Sequence, residues 1–230
     1  MRLINVAIDG YSACGKSTLA KQIAKILKYK YIDTGAMYRA ITLYALQNEC
    51  VVDNKLEIDI LLQALPNLKI DFKYNMATYE SAIYLNDVSV ESAIRTIDVA
   101  RWVSAVSAIK EVRKKLVTLQ QEIANQKGVV MDGRDIGSVV IPDAEVKLFM
   151  TANPTIRTER RYKELIGKGQ HVNKEEIHQN LIDRDYQDTH RAEDPLIQCD
   201  DAYVLDNSHM DTNQQLNQVL FWVDAAIKSY

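Results

Sequence analysis

Three observations predict an α/β fold built on a parallel five-stranded sheet flanked by helices. An apolar run, "LINVAID" (Leu3 to Asp9), leads directly into "GYSACGKS" (residues 10–17) and then "TLAKQIAKIL". Short apolar, branched stretches return at "YID" (31–33), "GVVMD" (128–132), "EVKLFMTA" (145–152) and "AYVLD" (202–206), with helical patterning between them. Parallel strands need long crossovers, so strands alternating with helices imply a parallel sheet. Finally, 230 residues suit one such domain with small insertions.

Each element has its own signal. Leu3 to Asp9 is short, apolar and branched, as a buried strand should be. Ser17 to Leu27 sets Leu19, Ala20, Ile23, Ile26 and Leu27 on one helical face. "TGAMYRAITLYALQ" reads as a helix entered through Thr34 and Gly35. Between Pro66 and Val90 the rhythm changes to "LKIDFKY", "SAIYLND" and "VSV", with Asn86-Asp87 as a tight turn, which predicts a small antiparallel insert. Helical patterning returns from about Ser92 to Gln126. Two polar helices, around Pro154–Gly167 and Lys174–Arg191, are joined by "GKGQHVN". Thr212 to Tyr230 closes the chain as a helix with Leu216, Val219, Leu220 and Val223 on one side. No repeat, low-complexity tract or Pro-rich linker interrupts the order. The expected organisation is one domain, residues 1–230, with a core of 1–33, 98–152 and 196–230. Residues of about 34–97 carry the β insert (about 66–95), and about 153–195 form a helical lid and the helix after it.

Composition excludes several classes. At 47% hydrophobic and 26% charged the chain reads as globular, and a net charge of −3 gives no basic field for nucleic acid. Cys14, Cys50 and Cys199 are scattered and odd in number, and His171, His178, His190 and His209 lack metal-ligand spacing. Neither a disulfide framework nor a zinc site is expected, and a reducing cytoplasm fits. No run of about 18 apolar residues suggests a membrane span, and the apolar start meets Asp9 without a cleavage site, so no signal peptide is expected. The expectation is a monomer with small-molecule substrates.

The chemistry starts at residues 10–17, which fit G-x-x-x-x-G-K-[ST] between a strand and a helix. Backbone N–H groups of such a P-loop grip phosphate oxygens, Lys16 reaches the β and γ phosphates, and the Ser17 hydroxyl ligates Mg²⁺. A chance match occurs in about one chain in a hundred of this size, before the strand–helix context is counted. Asp132, ending an apolar strand, could hold a water on Mg²⁺ or simply cap the next loop. Arg134 and Asp135 follow at the sheet's carboxyl edge, where α/β folds bind ligands. On a helix Arg184, Asp188 and Arg191 share a face, either as a surface ion-pair ladder or as a phosphate-binding row. Arg157, Arg160 and Arg161 sit after the fourth strand, on a stretch able to fold over the loop. With Arg39 and Arg113, these arginines converge on the carboxyl edge of a net-acidic chain, which points to several bound phosphates. No D-x-x-G occurs, and Asn54-Lys55 and Asn173-Lys174 do not continue as N-K-x-D, so a guanine switch is not expected. Transfer to a phosphate needs no base, because the acceptor oxygen is already anionic. It needs charge cancellation, alignment and exclusion of water.

Across essentially the whole chain, "IDGYSACGKST", "YIDTGAMYRA", Ile94-Arg95-Thr96, "DGRDIGSVVIPDAEVKLFMTANPTIRTERRYKEL", "RDYQDTHRAEDPL" and "DDAYVLDNS" resemble the bacterial cytidylate kinases, the CMP/dCMP kinase family of P-loop nucleoside monophosphate kinases. The "DGRDIGSVVIPDAEVK" run is the most specific mark; ordinary adenylate and guanylate kinases lack it. The resemblance implies MgATP-dependent conversion of CMP and dCMP to CDP and dCDP. It implies that Gly10, Tyr11, Ser12, Ala13, Cys14, Gly15, Lys16, Ser17 and Thr18 bind ATP together with Arg157 and Arg161 of the lid. Asp33, Thr34 and Arg39 would line the acceptor site, and Ser104, Arg113 and Asp135 would read the cytosine edge. Arg134 would hold the acceptor phosphate and Asp188 approach the sugar, with Arg184 and Arg191 near the phosphates. Lys16, Arg134, Arg157 and Arg184 would carry catalysis, with Ser17 and, through water, Asp132 toward Mg²⁺. The alternatives are another acceptor, UMP or a hydroxyl compound with Asp33 as base, or a module that binds ATP without turnover. Three positions depart from the family: Tyr11 where Pro is frequent, Cys14 where Gly or Ala is usual, and Asp194 where Ala is commoner. At a helix N-terminus Cys14 is expected to have a lowered pKa, so that its oxidation blocks ATP binding.

Overall fold

The structure is a computed structural model that describes residues 2–75 and 80–228. In chain order its strands are β1 (Asn5–Gly10), β2 (Lys30–Asp33), β3 (Val51–Val52), β4 (Lys55–Leu56), β5 (Ile70–Asn75), β6 (Glu80–Leu85), β7 (Val88–Ser89), β8 (Val129–Asp132), β9 (Val146–Thr151) and β10 (Tyr203–Asp206). Its α-helices are α1 (Lys16–Leu27), α2 (Thr34–Gln47), α3 (Ile58–Ala64), α4 (Ile97–Ser107), α5 (Lys110–Ala124), α6 (Pro154–Gly167), α7 (Lys174–His190) and α8 (Thr212–Lys228).

The central sheet has five parallel strands in the order β10-β9-β1-β8-β2. β1 is buried along its whole length, and it lies between two hydrogen-bonded neighbours, Ile8 aligning with Asp132 on one side and Leu148 on the other. That register brings Gly10, Asp33, Asp132 and Thr151 to one carboxyl edge. One face of the sheet packs Ile4, Val6, Ile8 and Leu148 against Leu19 and Ile23 of α1 and Val219 and Val223 of α8. A second core joins Met37 and Ile41 of α2 to Leu61, Ile83, Ile94, Val99 and Leu116.

The antiparallel insert is β5-β6-β7. Its turn is made by Asn86 (φ 49°) and Asp87 (φ 65°), two residue types that tolerate the left-handed region a two-residue hairpin demands. Ser81 Oγ donates to the Tyr31 carbonyl at 2.7 Å, tying β6 to β2.

Three local readings change. The helix of residues 34–47 is capped by Asp33, whose carboxylate accepts the Ala36 N–H at 2.9 Å, rather than entered through Thr34 and Gly35, which already lie inside it. The stretch from Ser92 to Gln126 is a single-turn 3₁₀ segment followed by two helices, α4 capped by Thr96 and α5 beginning after an extended Ile109 (φ −73°, ψ 121°). Arg191 stands just past α7, with extended backbone (φ −63°, ψ 148°). The last two residues of the expected closing helix, 229 and 230, lie outside the described residues.

Two features position the site. Gly10 has φ 140°, and a Cβ there would fall 2.0 Å from the Met150 carbonyl oxygen, so only glycine lets the loop leave β1 against β9. After β8 the chain makes one π-type turn, Ile136–Val140, closed by Ile141 N to Ile136 O at 2.7 Å. Such single π-type turns are frequent at functional sites. Here the turn follows Arg134 and Asp135.

Candidate active site

The phosphate loop spans the gap between β1 and α1. Gly15 caps the helix at φ 87°, and Ala13 adopts φ 59°. Lys16 is only 6% exposed, and its Nζ donates to the carbonyls of Gly10 (2.8 Å) and Tyr11 (2.7 Å). Burial, and after it the Arg134 charge, pull its pKa down to about 8. Thr18 is exposed on the first turn of α1.

At the far end of the loop, Ser17 Oγ donates to Asp132 Oδ2 at 2.8 Å, while Tyr31 donates its hydroxyl to Oδ1 at 2.7 Å. Burial, and then Asp33, push the Asp132 carboxyl up. Thr34 Oγ1 donates to the Asp132 carbonyl at 2.7 Å. A hydroxyl and a carboxylate side by side beside a phosphate loop suit a hard, oxygen-loving cation such as Mg²⁺.

Arginines from four elements meet here. Arg134 donates to Asp188 Oδ2 (2.7 Å) and to Ser12 Oγ (2.9 Å). Burial raises the Asp188 carboxyl, but the Arg134, Arg184 and Arg191 guanidiniums outweigh it and hold the pKa below the usual range. Arg39 pairs with Asp33 Oδ2 at 2.8 Å. Arg157 is buried, donates to the carbonyls of Ala152 (3.0 Å) and Ser12 (3.1 Å), pairs with Asp185, and sits 5.3 Å over the Tyr11 ring. Arg161 pairs with Glu164 at 2.8 Å, whereas Arg160 is committed to Asn207, through its Oδ1 (2.8 Å) and its carbonyl (2.7 Å).

Arg184 has a half-buried side chain whose Nε is buried without a hydrogen-bond partner, as is the Nε of Arg39. Burial, then Arg134, with Arg161 and Arg39 further off, pull the Arg184 pKa down to about 10 despite the Asp188 charge. Desolvated guanidinium donors grouped this way fit phosphate oxygens. Their cost to the fold gives an expected outcome: Arg184→Met leaves the melting temperature unchanged or raises it, while kcat/KM falls on the order of a hundredfold. Thermal melts beside steady-state kinetics check this.

A second group lies toward α4 and α5. Arg113 is 2% exposed and pairs with Asp135, with Asp194 Oδ2 through Nε (2.8 Å) and with the Ser107 carbonyl (3.3 Å), 5.5 Å over the Tyr38 ring. Arg191 reaches Asp135 Oδ1 at 3.4 Å and donates through Nε to the Asp194 carbonyl at 2.8 Å. Ser104, Asp188 and Arg191 line a cavity of about 470 Å³ between α4 and α7, with Arg101, Trp102 and Tyr186.

The candidate residues therefore fall into a loop side (Lys16, Ser17, Asp132, Arg157) and a far side, where Ser104, Asp188 and Arg191 line the cavity and the Arg113–Asp135 pair, which does not line it, is joined to it through Arg191. Arg134 connects the two sides by its bonds to Ser12 and Asp188. Asp185 escaped the sequence reading: its Oδ1 accepts the Ser12 N–H at 3.0 Å while it pairs with Arg157. So did Asn207, which donates to the Cys14 carbonyl at 2.7 Å. The expectation for Cys14 is overturned. Its thiol is 1% exposed in the core beneath the loop, and burial pushes its pKa up, outweighing the pull of Lys16. Its side chain enters the core rather than the field at the helix start, so the native protein should keep full activity after treatment with a thiol-alkylating reagent.

A sequence profile of the cytidylate kinases matches residues 6–225. The chain belongs to the cytidylate kinase family. The cytidylate kinase of Flavobacterium johnsoniae is 48% identical over 228 residues, covering 99% of both chains, and that of Bacteroides thetaiotaomicron is 48% identical over 215 residues, covering 94% of both. Among solved structures, an uncharacterized protein from Eubacterium ventriosum aligns over 97% of this chain and 99% of its own at TM-score 0.52. Its sequence identity is 11%, so the likeness concerns the fold alone. No described helix is long and apolar enough to cross a membrane.

Proposed function

We propose that this cytidylate kinase transfers the γ-phosphoryl group of ATP to CMP and dCMP, giving ADP with CDP or dCDP. The observation that carries the reading is one juxtaposition. From the phosphate loop a chain of ion pairs runs to the buried Arg113–Asp135 pair: Arg134 binds Ser12 Oγ and Asp188, Arg191 pairs with Asp188 and with Asp135, and Asp135 pairs with Arg113. The loop backbone from Gly10 to Thr18 binds the ATP phosphates, and Lys16 follows the charge that shifts from the γ-phosphoryl group to the leaving oxygen. Arg157 and Arg161 cover the donor from the lid, about residues 153–195. Arg39 and Arg134 hold the acceptor phosphate, with Arg184 and Arg191 beside it. The region of about 34–97 supplies Asp33 and Thr34 to the acceptor wall.

Asp135 accepts from the exocyclic amine of cytosine, while Arg113 donates to the ring's acceptors and Ser104 adds a hydroxyl. Uracil carries an oxygen in place of that amine, and a buried carboxylate facing it would be left without a donor. Asp188 takes the sugar hydroxyl. Ser17 and, through water, Asp132 would hold Mg²⁺, which supplies charge neutralisation on the phosphates. We place the enzyme in the cytoplasm as a monomer acting on free nucleotides, away from membranes and nucleic acid, consistent with its net charge of −3.

Asp33 is a poor base for a hydroxyl acceptor, because both of its oxygens are engaged, one by the Ala36 N–H and the other by Arg39. The test is ADP release from MgATP with each nucleoside monophosphate in turn. CMP and dCMP should stimulate it far above UMP, AMP, GMP and a blank without acceptor. Equal stimulation by all, or by none, would refute the reading.

A further inference from the structure

We infer that Asp9, at the end of β1, is a positioning residue that sets the base-reading Asp135 while its neighbour Gly10 holds the phosphate-binding Lys16. Asp9 is 5% exposed, and both carboxylate oxygens are used. Oδ1 accepts the Ile136 N–H at 2.8 Å and Oδ2 the Gly137 N–H at 2.7 Å. These N–H groups open the π-type turn that follows Asp135. The first N–H groups of any helical turn have no partner within it, and here a strand 127 and 128 residues away in sequence supplies both. The grip fixes the backbone just after Asp135 (φ −138°, ψ 25°), whose carboxylate Arg113 and Arg191 hold from the other side. One residue on, the Gly10 carbonyl receives Lys16 Nζ at 2.8 Å. A single dipeptide thus spaces the donor cation from the acceptor-reading carboxylate.

The surroundings argue against a cap of convenience. The charged groups acting on Asp9 are Asp135 from the turn and Lys16 from α1; the stem of Lys147 packs beside Gly137, while its Nζ is committed to Asp201 at 2.8 Å. Burial, although opposed by the two backbone N–H groups, pushes the Asp9 carboxyl up to about 7. A serine or asparagine could cap a turn at less desolvation cost. A carboxylate is what accepts two adjacent N–H groups with separate oxygens.

The inference rests on Asp135 reading the base, so the experiment separates the two. Asp9→Asn keeps one acceptor oxygen and aims an amide donor at the second N–H. The expected result is a rise of about tenfold in KM for CMP and a comparable fall in the CMP-over-UMP ratio of kcat/KM, with KM for ATP within about twofold of wild type. Gly137→Ala, whose Cβ would sit 3.2 Å from Lys147 Cδ and 3.4 Å from Asp9 Oδ2, should shift the same constants in the same direction and serves if the first variant fails to fold. Asp135→Asn is the reference. If it loses CMP selectivity while the other variants change both KM values together, or neither, the role of Asp9 is overturned and the base-reading assignment stands. If Asp135→Asn keeps full selectivity, both fall.

Discussion

Lys16→Ala is expected to lower kcat/KM for ATP by on the order of a hundredfold to a thousandfold, the scale for removing one preorganised charge from a developing anion. The ammonium is nearly buried and already aimed into the loop by two carbonyls, so little reorganisation is needed when phosphates arrive. The same burial gives a pH signature. With a pKa near 8 in the free enzyme, Lys16 loses its proton above that pH, and kcat/KM for ATP should fall about tenfold per further unit. Phosphates favour the charged form, so kcat should hold to higher pH. The stability term has the opposite sign. From about pH 8 up to the unfolded value near 10.4 the unfolded chain binds more protons, so the Lys16 contribution to stability grows as pH rises through that window. Stopped-assay kinetics and denaturant melts across pH 7–10 measure both.

The largest stability effect should come from Arg113→Met. Removing Arg113 takes the nearer of the two guanidiniums off the buried Asp135 and leaves only Arg191, at 3.4 Å, to offset its charge, a loss on the scale of about 3–5 kcal/mol for breaking a buried pair. For a chain of this size that is a fall of about 10 °C in melting temperature, accompanied by loss of CMP stimulation. Adding Asp135→Asn to Arg113→Met removes the stranded charge, so much of the melting temperature should return while cytosine selectivity stays lost. Recovery of selectivity in the double variant would mean that neither group reads the base. Asp194 pairs with Arg113 from a left-handed backbone (φ 47°). It is a second carboxylate on the guanidinium that also pairs with Asp135.

The central sheet, the glycine-rich loop after β1 and the two polar helices α6 and α7 were legible from periodicity and motif, because each is a local pattern read along a few turns or one strand. The grouping of Lys16, Ser17 and Asp132 was legible for the same reason: strand-end positions of a parallel sheet share one edge. What escaped were contacts between distant segments. Asp9 to the turn at Ile136, Asp185 to Ser12 and Asn207 to the Cys14 carbonyl span 127, 173 and 193 residues, and nothing local says which distant backbone group each side chain meets. The π-type turn has no composition signal of its own. Cys14 failed for a related reason. Its place in the loop was clear, but the direction of its side chain is set by the φ 59° of Ala13 and by packing under α1, which one-dimensional patterning does not carry.

The most direct test follows the label from γ-³²P ATP with CMP present. The expected product is labelled CDP, formed one for one with ADP, with little inorganic phosphate. Label appearing as inorganic phosphate regardless of CMP would contradict transfer between phosphates at this site.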